Sequence, residues 1–215
     1  MIGSRALPPR RGHRRAGPAF RCGALPALAV LALLAGCADP APPLSDGPAG
    51  AAPADGLTRI VQLAAERAVL SDRVAAAKFG TPAPVTDPAR EAAVLDGARA
   101  DATSAGVDPE WVARVFTDQI AASTQVQNDL IRGWTERPDT GPAEQADLTQ
   151  VRPELDRIGD ELVAALALAA PARGHEDCPT GLAQAAVAAA RPLDDVHKAA
   201  LGRGLASVCD GTAEG

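Results

Sequence analysis

DPEWVARVFTDQIAASTQVQNDLIRGW, residues 108–134, reads as one long helix. Asp108 is a good N-cap, Pro109 sits at the first helical position where its missing N–H costs nothing, and Glu110 puts an acid in the first turn. Behind them Val112, Val115, Phe116, Ile120, Val126, Leu130 and Trp134 recur at helical spacing. The same start signal returns at Asp87-Pro88. Leu57, Ile60, Val61, Ala64 and Ala68 mark an earlier helix from about residue 56, and Leu148, Val151, Leu155, Ile158, Leu162 and Leu166 form a strong amphipathic stripe. Two shorter helices are expected around Gly181–Ala190 and Leu193–Val208. No segment alternates with period two, so the expected fold is all-α. It is a single-domain bundle of about six helices over residues 56–210, enough for one core.

One detail stays open in the sequence. If the fourth helix starts at Asp147, Pro153 lies in its early interior and removes a backbone donor. Alternatively Pro153 is the first helical residue and Arg152 the cap. The aim of Arg152 depends on which holds.

Outside the bundle the composition changes sharply. Arg5, Arg10, Arg11, Arg14, Arg15 and Arg21 precede a short apolar run, Gly23–Gly36, too short to span a bilayer. Residues 1–36 therefore read as an export signal. The run ends Leu34-Ala35-Gly36-Cys37, similar to the lipobox at which a signal peptidase cuts before a lipid-modified cysteine. Cys37 is the expected lipidation site, and membrane contact is expected through that anchor only. Residues 37–55, rich in Ala, Pro, Gly and Asp, read as a disordered tether.

Removing residues 1–36 takes away six Arg and no acid, leaving 15 Lys+Arg against 27 Asp+Glu and a formal net charge of −12. Such a chain has no positive field for nucleic acid, and an anionic ligand could be held only by a local cation cluster. Of four cysteines, Cys178 and Cys209 alone fall in the helical region, and in an exported protein they are expected to pair. A metal site has little support: there is no CxxC, and His175 stands alone beside Cys178.

Within the bundle a few polar residues share useful spacings. Arg67 and Lys78 are eleven residues apart, which returns to nearly the same helix face after three turns. Arg90-Glu91 opens the helix behind Asp87-Pro88, Ser123 and Gln127 are an i,i+4 pair, and Arg152 lies near the start of another helix. Cations, an amide, a hydroxyl and a carboxylate suit a small molecule bearing two carboxylates and a hydroxyl. No nucleophile accompanies them. Other residues have plainer readings: Arg59, Arg73, Arg99, Arg114, Arg132, Arg157 and Arg203 as solvated helix surface, and His175 and His197 as surface histidines. Trp111, Phe116 and Trp134 read as core, and Asp156, Asp160 and Glu161 as a solvated acidic face.

Taken together, five segments resemble one family. They are Ala64-Ala65-Glu66-Arg67, Val74-Ala75-Ala76-Ala77-Lys78-Phe79, Asp87 with Arg90-Glu91, Val107 to Ile120, and Ser123 to Gln127. Over residues 57–209 the chain is similar to the all-helical, AroQ-type chorismate mutases, in their exported gamma subclass. That resemblance implies conversion of chorismate to prephenate by a concerted Claisen rearrangement, with no cofactor. By family position Arg67, Arg90 and Arg152 contact the substrate carboxylates, Lys78 contacts a carboxylate and the ether oxygen, and Gln127 donates to the same oxygen. Glu91 and the backbone near Asp87 fix the ring hydroxyl, and Ser123 assists at a carboxylate. Cys178 and Cys209 fall where the subclass has a disulfide. Val94 replaces an often polar residue, leaving one substrate contact unaccounted for. Two rival readings remain: a helical lipoprotein that binds a dicarboxylate without turnover, and an envelope protein that recruits a partner. Whether the domain forms a homodimer also stays open.

Overall fold

The structure is a computed structural model that describes residues 51–211. The expected signal segment, Cys37 and all but the last five residues of the expected tether lie outside them. Six α-helices follow one another: α1 (Ala51–Lys78), α2 (Pro88–Ser104), α3 (Pro109–Glu136), α4 (Leu148–Ala169), α5 (Cys178–Ala190) and α6 (Asp195–Gly204). Short 3₁₀ turns at Pro138–Thr140 and Ala170–Ala172 sit in the connections, and no strand occurs among the described residues.

Helix α1 is the centre of the bundle. It packs on α3, α4, α5 and α6, while α2 lies across α3 and α4. Its buried face carries Leu57, Ile60, Val61, Leu63 and Ala64, meeting Trp111, Val112 and Val115 of α3 and Ile158, Leu162 and Leu166 of α4. Gly56 lets α1 and α4 touch backbone to backbone, since a Cβ there would stand 2.7 Å from the Ala169 amide nitrogen. Helix α2 ends where Gly106, at φ +71°, takes the left-handed conformation open to glycine. The Val107 amide then returns to the Ala102 carbonyl at 2.9 Å and the Gly106 amide to Thr103 at 3.2 Å, a Schellman closure.

Three boundaries differ from those read in the sequence. Helix α1 starts at Ala51, so residues 51–55 are helical and the tether reading fails there; Pro53 in the first turn forfeits no intrahelical bond. Helix α5 starts at Cys178 because Pro179 is tolerated in its first turn. Helix α6 stops at Gly204, four residues early. There the backbone finds other partners: the Ser207 amide donates to Asp118 Oδ2 at 2.9 Å, and Trp111 Nε1 donates to the Ser207 carbonyl at 3.0 Å.

The C-terminal segment is tied down twice more. A disulfide joins Cys178, at the start of α5, to Cys209, beyond α6. The Arg173 side chain is largely covered, stacks on Trp111 at 4.8 Å, and donates to Asp108 Oδ2 at 2.9 Å and to the Asp210 carbonyl at 2.6 Å. One guanidinium thus holds the chain end against the N-terminus of α3.

Most of the plain readings hold. Arg59 and Arg157 pair with Glu161, Arg157 also with Glu66, and Arg73 with Glu154, all exposed pairs between α1 and α4 or along α4. His175 is exposed, Trp111 and Phe116 are core, and half-buried Trp134 meets Phe79 edge-on at 5.4 Å. His197 is a correction, being only 6% exposed. Its Nδ1 lies 2.7 Å from Asp194 Oδ1 and its Nε2 lies 2.8 Å from Asp72 Oδ1, so it bridges α6 to α1. Asp194, the cap of the same helix, is a local partner, but a lone sequence position gave no sign of Asp72 arriving from a helix far away in the chain.

That bridge makes stability depend on pH. Burial disfavours the His197 imidazolium, but the bonds to Asp194 and Asp72 outweigh it and raise its pKa above the ordinary 6.5. A raised folded value contributes stability that is full below the unfolded pKa and is lost as pH rises through the folded one. Urea unfolding of wild type and His197→Gln should therefore show a wild-type advantage that is largest near pH 5.5 and shrinks towards pH 8.5. A gap that stays constant or widens would show that the imidazolium does not bridge the helices.

Candidate active site

Three helices deliver the polar residues to one place. On α1, Arg67, Ser71 and Lys78 lie four and seven residues apart on one face. Asp87 caps α2, accepting from the Arg90 amide at 3.1 Å, while its own amide donates to Glu91 Oε1 at 3.3 Å. That reciprocal cap, similar to a capping box, aims Arg90 and Glu91 from the first turn. Ser123 and Gln127 face inward from the middle of α3, and Gln127 is 4% exposed.

The inner cleft, about 110 Å³, is lined by Arg67, Lys78, Asp87, Arg90, Glu91, Ser123 and Gln127, with Val74, Val85, Val94, Ile120 and Leu155 as apolar walls. Seven of the eight residues singled out in the sequence meet there. The eighth, Arg152, lies in an adjoining basin of about 400 Å³ that shares Arg67, Arg90, Val94 and Leu155 with the cleft. Helix α4 begins behind the Asp147 cap, so Pro153 is inside it and Arg152 is a helical residue, not a cap. The cost is one absent backbone donor.

A directed hydrogen-bond chain runs through the cleft. Lys78 Nζ donates to the Val85 carbonyl at 2.7 Å and to Gln127 Oε1 at 3.0 Å. Gln127 Nε2 donates to Ser123 Oγ and to the Ser123 carbonyl, both at 3.1 Å. Ser71 Oγ donates to the Arg67 carbonyl at 2.9 Å, so the 2.8 Å contact between the hydroxyls leaves Ser123 as donor and Ser71 as acceptor. Ser71 was missed in the sequence. Its signal was available, since it falls on the stripe between Arg67 and Lys78.

The two inner cations are electrostatically unlike. Burial lowers the Lys78 pKa and Arg90 adds to this, against opposition from Asp87 and Glu91. Arg67 is pushed down to about 10 by burial and by Arg90, with Asp156 pulling the other way. Arg67 therefore remains charged at neutral pH. Arg67 Nε is fully enclosed and has no hydrogen-bond partner among the described residues. Asp156 and Asp160, read in the sequence as solvated surface, line the basin beside these arginines.

This arrangement can clamp a small anion and place two donors, an ammonium and an amide, against one atom deep in the cleft. Among the described residues no group of three His, Cys, Asp or Glu is close enough to hold a metal ion.

Comparison with known proteins gives a consistent set of relatives. A family model described as chorismate mutase type II matches residues 58–128, which contain all seven cleft residues but not Arg152. The secreted chorismate mutase of Mycolicibacterium smegmatis is 33% identical over 182 residues, covering 84% of this chain and 97% of that protein. That of Mycobacterium tuberculosis is 31% identical over 166 residues, covering 73% and 81%. The crystal structure of chorismate mutase from Burkholderia thailandensis superposes with a TM-score of 0.68 at 42% identity, covering 72% of this chain and 99% of that one.

Proposed function

This chain belongs to the chorismate mutase family, and we propose that its cleft converts chorismate to prephenate with Lys78 and Gln127 at the breaking ether bond. The observation that carries this is the 3.0 Å Lys78–Gln127 contact deep in a cleft that Arg67 and Arg90 also line. A binder of dicarboxylates needs the guanidiniums. It does not need an ammonium and an amide paired where an ether oxygen would lie.

The rearrangement breaks a C–O bond while a C–C bond forms in the same molecule. Electron density moves to the ether oxygen in the transition state. A protein can therefore help in two ways: by holding the folded conformer and by stabilising that charge. Arg67, Arg90 and Arg152 would hold the two carboxylates, for which a planar guanidinium fork is suited. Glu91 and the backbone at Asp87 would receive the ring hydroxyl, and Ser123 would assist at a carboxylate. Lys78 has three N–H donors and uses two on Val85 and Gln127, which leaves one for the ether oxygen. Gln127 Nε2 has two N–H groups; it would keep the Ser123 carbonyl and turn the other to the substrate. All eight residues come from one chain, so the reading needs no second copy.

Export is also part of this reading. The basic segment before Gly23–Gly36, the Leu34-Ala35-Gly36-Cys37 sequence and the naming of both mycobacterial relatives as secreted support it. Lipid attachment at Cys37 rests on that short sequence alone.

Lys78→Ala should lower turnover of chorismate by about 10²–10³ while circular dichroism and the unfolding midpoint stay near wild type. Near wild-type turnover by the folded variant would remove Lys78 from the site.

Position 127 tests the mechanism itself. A neutral amide donates at any pH, so wild-type turnover should be flat between about pH 5 and 8. It should fall on the alkaline side before the ordinary lysine value of 10.5, because Lys78 is shifted down. Gln127→Glu should be favoured by acid, since only the protonated carboxyl can donate to the ether oxygen. Burial beside an anionic substrate raises that carboxyl's pKa and Lys78 opposes the rise. Rate–pH profiles of both proteins decide it: a Gln127→Glu profile as flat as wild type would place residue 127 away from the breaking bond.

A further inference from the structure

The basin outside the cleft is not simply cationic. Three guanidiniums (Arg67, Arg90 and Arg152) share it with three carboxylates (Asp101, Asp156 and Asp160). Arg152 and Asp156 are one turn apart on α4, so both face the basin from the same side. Yet Asp156 forms no ion pair with any of the three arginines, unlike Glu161 and Glu154, which are taken up by Arg59, Arg157 and Arg73. Among the described residues it has no ion-pair partner, and it lines the basin that adjoins the cleft.

We propose that Asp156 is a positioning residue that sets how tightly the site holds dianions, offsetting part of the field of Arg67, Arg90 and Arg152 so that product can leave. The argument starts from the reaction. Substrate and product are isomers with the same two carboxylates, so any clamp that grips one grips the other. Binding that is equal in substrate, transition state and product lowers KM without speeding the chemical step, and it slows release. Three guanidiniums around a small opening are an excess of such uniform binding. A carboxylate at the mouth reduces it, while Lys78 and Gln127, deeper in, keep their preference for the charge that develops only in the transition state. Asp156 is felt at Arg67, where its charge opposes the influence of Arg90. This rests on the assignment of the three arginines to the substrate carboxylates.

Asp156→Asn keeps the shape and removes the charge. It should lower KM for chorismate and the inhibition constant for prephenate together, each by about threefold to tenfold at low salt, the scale of one partly screened charge. The gain should shrink as sodium chloride is raised. A role in packing alone would not produce a salt-dependent tightening. Arg152→Ala serves as the reference and should raise both constants. If Arg152→Ala leaves them unchanged, the carboxylate assignment itself fails. If Arg152→Ala raises them while Asp156→Asn leaves them unchanged or raises them, the assignment stands and the inference about Asp156 is overturned.

Discussion

The structure depends on the register of α1 against α3. Lys78 is the last residue of a 28-residue helix, and Gln127 is in the middle of another. Their 3.0 Å contact exists only because the packing fixes one helix lengthwise against the other. Ile60, Leu63, Trp111, Val112 and Val115 are fully buried and set that register. A slip of one residue would move Lys78 by about 1.5 Å and turn it by about 100°. The ammonium also lies at the C-terminal end of α1, where the helix dipole favours a cation. That offsets part of the desolvation which lowers its pKa.

Much of this was legible in the chain. The caps at Asp87 and Asp108 and the apolar stripes of α3 and α4 are local signals, and all form as read. The cleft residues of α1 and α3 could be picked out because eleven-residue and four-residue spacings return to one helix face. What was hidden depends on contacts between distant segments. Nothing in the sequence marks Gly56 as a close-contact position until α4 is brought against it. His197 looks like surface until Asp72 arrives from α1. Asp156 is exposed, as read, but its place beside Arg67 and Arg90 appears only once α1 and α2 are brought against α4. Ser71 is the exception, a position whose helical spacing was visible and was passed over.

Arg152 shows the same limit from another side. The residue before a proline is biased away from the helical region, which gave the alternative start at Pro153 its weight. The Asp147 side chain instead accepts from the Thr149 amide at 2.8 Å and starts the helix earlier. A good cap and the buried residues Val151 and Ile158 outweigh one missing bond. The outcome places Arg152 on the basin side of α4, at the mouth, not in the cleft.

Within the proposed site the two inner cations would divide the work of binding and catalysis, because the protein satisfies them differently. Lys78 already has two acceptors, so an approaching ground-state ether oxygen, a weak acceptor, offers it little. Its contribution would grow only as charge develops on that oxygen, which is the differential binding that raises a rate. Arg67 is the opposite: its Nε is enclosed with no acceptor, and an unmet buried donor is costly. A substrate carboxylate that reaches this guanidinium relieves that cost at once and equally in ground and transition states. On the proposed assignment, affinity would be drawn from the arginine side of the cleft and acceleration from the lysine–glutamine side. The Ser123–Ser71 link between the two sides makes Ser123 Oγ an acceptor for the amide nitrogen and so keeps the amide oxygen turned to the ammonium.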